Sequence, residues 1–279
     1  MRLFVLISTM GDGIRQVPAM LLPPQEGVAY VVVWQNDGMP ADSPDELLLR
    51  SRADVHLATM QGVGLCRSRN LAIATALGLL EHALEDAVFL IADDDERFRP
   101  DAFRHIMATY AQHKKLDLAL FRLRSSADNT YFKPYPDGWV SYKNRPRSYY
   151  PCSWEMTMRS RVCQAGLRFD ERFGLGAEKL CAGEEDVLLA DAVGHGLRVY
   201  IIPEDIGVTD PHTTGDRVLD TKVLHSKGAV YAYTLPSWQV LLRCVREALS
   251  LSIRHKANAM HVFRNIWYGV KYIRQCPTN

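Results

Sequence analysis

Residues 87–103 read AVFLIADDDERFRPDAF. The run Ala87–Ala92 is short, wholly apolar and rich in branched or aromatic side chains, the pattern of a central strand covered on both faces. It stops abruptly at Asp93, Asp94 and Asp95, and Pro100 with Asp101 opens a helix to about His113. In open α/β sheets ligands gather beyond the carboxyl ends of the strands, which is where this acidic cluster falls.

Working outward, Leu3–Thr9 (LFVLIST) and Ala29–Trp34 (AYVVVW) read as strands, and Asp54–Met60 (DVHLATM) as a weaker one. Between them and the central strand, Leu71, Ala74, Leu77, Leu80 and Leu84 recur at helical spacing, predicting a helix over Ser68–Leu84. Leu118–Leu123 is the next strand. This alternation predicts an α/β sandwich with a mostly parallel sheet. From Ser125 to Trp154 periodicity gives way to Tyr, Trp, Pro, Asn and Gly. A loop this long with so many aromatics reads as functional. Pattern resumes over Glu155–Val162, in a helix over Glu184–Val193 and in a strand over Leu197–Ile202. Pro203–Arg217 reads as a loop. Two helical stretches, Ser237–Ile253 and Asn258–Ile273, close the chain. The division expected is 1–218 (halves 1–124 and 125–218) followed by a helical extension over 219–279.

Composition narrows the class. The 279 residues are 47% hydrophobic and 23% charged, as in ordinary globular proteins, and the net charge of +1 gives no general attraction to nucleic acid. No run of 18 apolar residues is present, and the start lacks the long apolar core of a signal peptide. The six cysteines are scattered without a CxxC pair, which argues against structural zinc and a disulfide framework and fits a reducing cytoplasm.

Three adjacent carboxylates repel one another, and a divalent cation relieves that repulsion. Mg²⁺ or Mn²⁺ takes one or two carboxylates and keeps other positions open for substrate phosphates. In an extended chain Asp93 and Asp95 point to one side, so the pair can share a metal–diphosphate complex. The plainer alternative is a solvated acidic turn ahead of the helix. The Asp-Asp-x-x-Asp spacing of all-helical prenyltransferases is not met, since Arg97 follows Glu96.

Three blocks in order resemble the family 2-type glycosyltransferases of the GT-A fold: GVGLCRSRNLAIATA from Gly62, FLIADDDERFRPDAF from Phe89, and FDERFGLGAEKLCAGEEDVLLADAVGHGLRVYIIPE from Phe169. The resemblance covers roughly residues 1–215. It implies the α/β/α form of the sandwich, with a mostly parallel mixed sheet. It also implies metal-dependent transfer of a sugar from a nucleoside-diphosphate sugar to a hydroxyl, with inversion, in surface polysaccharide or glycoconjugate synthesis. Asp93 would contact the ribose or phosphate side of the nucleotide and share the metal, Asp95 would ligate it, and Asp94 would have a lesser part in donor binding. His212, in the loop DPHTTG, would stand near metal and diphosphate. Ser8 and Thr9 would begin the nucleobase pocket, with Asp37 as the acidic residue after the second strand, or Gln35 taking part of that role. The base that deprotonates the acceptor would come from Glu184-Glu185-Asp186. A literal match to the family's Glu-Asp gives Asp186; spacing to Leu188 and Gly196 gives Glu185. Arg67 and Arg69 have either the diphosphate or the acidic cluster to pair with. Two other readings are a sugar-1-phosphate nucleotidyltransferase, for which STMGDGIRQVP is poor in glycine and basic residues, and a carbohydrate-binding module without activity, which would not need both acidic clusters.

The aromatics of 131–154 (Tyr131, Phe132, Tyr135, Trp139, Tyr142, Tyr149 and Tyr150) offer faces to the sugar rings of a glycan or to a lipid-linked acceptor, or they pack the loop. From Leu235 onward seven basic residues stand against the single acid Glu247, a net +6 that leaves −5 on the rest. Trp238, Leu241, Leu242, Val245 and Leu249 form one apolar stripe; Phe263, Ile266, Trp267, Val270 and Ile273 form another. Such helices either cover the catalytic domain and expose a basic face, or make peripheral contact with the inner face of a membrane.

Overall fold

The structure, a computed structural model, describes residues 1–36, 43–80, 86–131, 133–210 and 217–276. Two compact units divide it. The first comprises Met1–Val63, Arg67–Arg168 and Asp191–Pro211; the second comprises Gly64–Cys66, Phe169–Ala190 and His212–Asn279.

Among the described residues, the first unit holds one nine-stranded sheet. Its strands are β1 (Arg2–Met10), β2 (Val28–Gln35), β3 (Val55–Met60), β4 (Ala87–Asp93), β5 (Arg97–Phe98), β6 (Leu118–Ser125), β7 (Val140–Ser141), β8 (Met156–Arg159) and β9 (Val199–Thr209), in the order β3-β2-β1-β4-β8-β6-β9-β5 with β7 also on β9. β3, β2, β1 and β4 are mutually parallel, and β6 and β9 are parallel to each other. β8 runs antiparallel between β4 and β6, so those two strands end at the same edge. The mixed, mostly parallel α/β sheet expected from the sequence is therefore present.

Burial explains which strands the sequence marks clearly. Every residue of β2 and all interior residues of β1 are buried, whereas the edge strand β3 alternates poorly and is half-exposed. Leu3, Val5 and Ile7 turn to one face, with Tyr30, Trp34, Leu90, Phe103, Ile106 and Tyr110 in the same core. Phe4, Leu6, Val31, Val33 and Ile91 point the other way and are equally buried. At about 1.5–3 kcal/mol for each large apolar side chain buried, this double-sided burial is the main force holding the sheet.

The helices are α1 (Pro44–Arg50), α2 (Leu65–Gly78), α3 (Ala102–Gln112), α4 (Ser160–Gln164), α5 (Glu184–Gly194), α6 (Thr221–Thr234), α7 (Ser237–His255) and α8 (Ala259–Gln275). Several differ from expectation. α2 begins at Leu65, where Gly62 and Gly64, both at positive φ, end the preceding turn. β9 continues to Thr209 instead of giving way to a loop at Pro203. Its pairing with β6 shifts register between Leu120 and Leu123, which accommodates the proline in an irregular ladder. α1, capped by Ser43, and α6, capped by Asp220, were not anticipated.

In the second unit α6, α7 and α8 share a core of Leu224, Val240, Cys244, Ala248, Leu251, Val262, Ile266 and Val270. The stripe expected on α8 is the one that packs. On α7 the packed face is Val240, Cys244, Ala248 and Leu251, and the predicted stripe from Trp238 to Leu249 is exposed. α7 therefore presents an apolar row to solvent as well as basic residues.

Candidate active site

Parallel β1 and β4 bring Ser8 beside Asp93 in register, at the carboxyl edge of the sheet. Ser8 is buried and accepts a hydrogen bond from Ser68 Oγ at 2.9 Å. Asp93 ends β4, and Arg69 donates to its Oδ1 at 2.9 Å while also reaching Ser153 Oγ at 2.6 Å. Arg69 is buried, so this ion pair fixes the Asp93 carboxylate from inside the protein. Of the two roles open to Arg69, pairing with the acidic cluster is the one present. Arg67 is exposed, with its guanidinium near Gly62.

The chain does not stay extended beyond Asp93. Asp94 and Asp95 form a turn, closed by Glu96 Oε1, which accepts from the Asp93 N–H at 2.7 Å. The premise that Asp93 and Asp95 share a side through strand alternation therefore does not hold. Each carboxylate instead has its own setting. Asp94 accepts from Thr9 Oγ1 at 2.6 Å, against Gly13 in the 3₁₀ segment Gly11–Ala19, where a β-carbon would collide with both side chains. Asp95 Oδ1 is buried and, among the described residues, has no hydrogen-bond partner. Burial, then the charges of Asp93, Asp94 and Asp210, push its carboxyl up to about 6. Burial likewise raises Asp94, and raises the fully buried Glu96 well above the ordinary carboxylate range.

An orphaned carboxylate oxygen among like charges fits a divalent cation. Among the described residues no three His, Cys, Asp or Glu side chains form a complete metal cage. Asp37 and His212 lie outside the described residues.

In the second unit, Glu184–Asp186 form the first turn of α5, where the helix dipole favours acids. The three differ. Glu184 is buried beside Gly174, at positive φ, while Glu185 and Asp186 are half-exposed. Gly183 precedes them at positive φ, and a side chain there would strike Val230.

The aromatic segment adds residues that the sequence did not single out. Lys133 and Glu155 form a fully buried ion pair of 2.6 Å. Tyr135 and Tyr149 donate to the same carboxylate at 2.5 and 2.8 Å. Tyr142 and Tyr149 are buried, and Tyr131, Trp139 and Tyr150 are exposed, so the segment both packs and presents aromatic faces. A cavity of about 500 Å³ opens among Arg122, Tyr131, Lys133, Pro134, Tyr135 and Asp137. It adjoins β6, whose carboxyl end shares the edge of the acidic cluster. The short segment Ser153–Glu155 serves both places: Ser153 holds Arg69, and Glu155 holds Lys133.

The sheet order is that of the GT-A fold. Among solved structures, the chain is similar to TarS 1–349 of S. aureus, with a TM-score of 0.61 and 13% identity over 99% of this chain and 92% of that one. The same fragment in complex with UDP-GlcNAc gives 0.59 at 13% identity, again over 99% and 92%. A longer TarS structure gives 0.58 at 14%, covering 90% of this chain and 44% of that chain. No protein-family model and no curated protein sequence matches. At such identities the likeness establishes the fold.

Proposed function

We propose that the protein is a metal-dependent glycosyltransferase that moves a sugar from a nucleoside-diphosphate sugar to a hydroxyl of a glycan or lipid-linked acceptor, with inversion, in surface polysaccharide or glycoconjugate synthesis. The observation that carries this reading is the buried Asp95 Oδ1, without a hydrogen-bond partner among the described residues, beside the Arg69-clamped Asp93 at the carboxyl edge of a GT-A sheet. Uridine diphosphate is the proposed nucleotide, since TarS structures have UDP-GlcNAc or UDP bound. Ser8, Thr9, Asp37 and Arg67 are the donor-side residues in this reading, and Asp94 braces the first turn after β1 through Thr9.

Asp95, with Asp93 and His212, would hold Mn²⁺ or Mg²⁺, which supplies Lewis-acid stabilisation of charge on the departing diphosphate. Asp186 or Glu185 takes the proton of the acceptor hydroxyl as that oxygen attacks the anomeric carbon from the face opposite the diphosphate. The exposed Tyr131 and the cavity around Tyr135 offer the acceptor's rings a platform. Six free thiols support a reducing, cytoplasmic setting, and among the described residues no helix is long and apolar enough to cross a membrane. A lipid-linked acceptor would call for peripheral membrane contact through the C-terminal helices.

The test is release of UDP from a panel of UDP-sugars with Mn²⁺, alone and with glycan or lipid-linked acceptors. Replacing the base, by Asp186→Asn or Glu185→Gln, lowers kcat by about 10²–10⁴ while leaving nucleotide binding intact. If neither substitution changes turnover, the base assignment fails; if no UDP-sugar is consumed, the reading itself falls.

A further inference from the structure

Helix α7 has two apolar faces, and among the described residues only one is packed. Val240, Cys244, Ala248 and Leu251 pack into the second unit. Trp238, Leu241, Leu242, Val245, Leu249 and Ile253 stay in solvent, with Trp238 72%, Leu242 64% and Ile253 81% exposed. At 100° per residue these six fall within one continuous stripe, about 22 Å from Trp238 to Ile253. Single exposed leucines need no explanation, but an aligned row of six large side chains marks a contact surface. Arg246 follows directly on the stripe's polar flank, with Arg243 and Arg254 further round the helix.

We propose that this face of α7 lies on an anionic lipid surface, with its apolar row in the acyl boundary and its arginines at the headgroups. Charge selects this occupant. From Leu235 to the end of the chain the net charge is +6, and its single acid, Glu247, is already paired with Lys227 at 3.1 Å and Arg243 at 3.8 Å. A second copy of the chain docking stripe to stripe would bring two such basic segments together. An anionic bilayer takes the apolar row and neutralises the arginines at once. α7 is not a spanning helix, so the contact is interfacial. The inference does not depend on the transferase reading, because it uses no residue of the acidic clusters.

Flotation of the full chain with vesicles tests it. Vesicles of phosphatidylcholine plus phosphatidylglycerol should carry the protein to the top of the gradient, and phosphatidylcholine alone should not. Added salt should release it. Leu242→Ser with Leu249→Ser should weaken binding by at least about tenfold, since two exposed leucines lose their transfer energy. Both side chains are exposed, so the thermal midpoint should stay unchanged. Arg246→Glu with Arg254→Glu should abolish the preference for the anionic vesicles. Trp emission should shift to the blue on these vesicles, and Trp238→Phe should remove the shift. Absence of flotation with anionic vesicles, or unchanged flotation of the leucine variant, overturns the proposal. So does a concentration-dependent dimer that the leucine variant dissolves, without vesicle binding.

Discussion

A methyl group at Gly13 would lie 2.8 Å from Thr9 Oγ1 and still closer to Asp94 Oδ2, so the bare backbone there is what lets the Thr9–Asp94 hydrogen bond form. Gly13→Ala should therefore cost about 1–3 kcal/mol in denaturant unfolding and weaken nucleotide binding. Gly138→Ala, with open space around its would-be β-carbon, should change neither. Equal unfolding curves for the two variants would mean that Asp94 is not seated as described. At this scale the sequence made the charged residues legible, because three aspartates after an apolar run have few structural explanations. It did not make their partners legible. Ser153 reaches Arg69 across 84 positions, and Lys133 meets Glu155 only because the aromatic segment folds back. Glu96 looked like one more acid in a run, and only the fold shows it closing the turn beneath Asp93.

Among elements, the edge of the sheet at β3 is clamped by Arg52, which holds Asp54 bidentately, donates to the Leu22 carbonyl and lies over Tyr30. The hydrogen bonds from Arg52 hold the Asp54 carboxyl below its ordinary range. A depressed carboxyl stabilises the fold above its unfolded value, about 3.9, and loses that contribution as pH falls through the folded value. Asp54→Asn should thus cost about 1 kcal/mol at neutral pH, and the difference from wild type should close below that range. Urea titrations at both pH values read it, and a pH-independent difference would contradict it. Gly228 and Gly269 let α6 and α8 meet at backbone contact, since a β-carbon on either would strike the carbonyl of Ile266 or His225. Either Gly→Ala change should cost about 1–3 kcal/mol, measured as a lower thermal midpoint. The same contact explains why α6 escaped the sequence. Its stability comes from close packing and not from an apolar stripe, so periodicity had little to detect. The central strands were legible for the opposite reason: burial on both faces leaves continuous apolar runs. α7 was legible as a helix, but the face that packs is Val240, Cys244, Ala248 and Leu251 and not the larger apolar stripe that the sequence marks, because packing depends on which face finds a partner.

For the whole molecule, the mostly parallel α/β sheet and the edge at which the acidic cluster stands were legible, since strand–helix alternation favours a parallel sheet and ligands gather at carboxyl ends; the GT-A architecture was implied by the resemblance of three sequence blocks. This edge is proposed to bind a nucleoside diphosphate together with a divalent cation. Thermal unfolding with UDP-GlcNAc or UDP, each with and without Mn²⁺, tests it most directly. Binding to the folded chain should raise stability by about 2.7 kcal/mol at a hundredfold excess over Kd. The rise should require both components and vanish in Asp95→Asn, whose own midpoint without metal should exceed that of the wild type because one buried like charge is gone. A midpoint that no nucleotide shifts in the presence of Mn²⁺, or an equal shift in Asp95→Asn, would contradict the account.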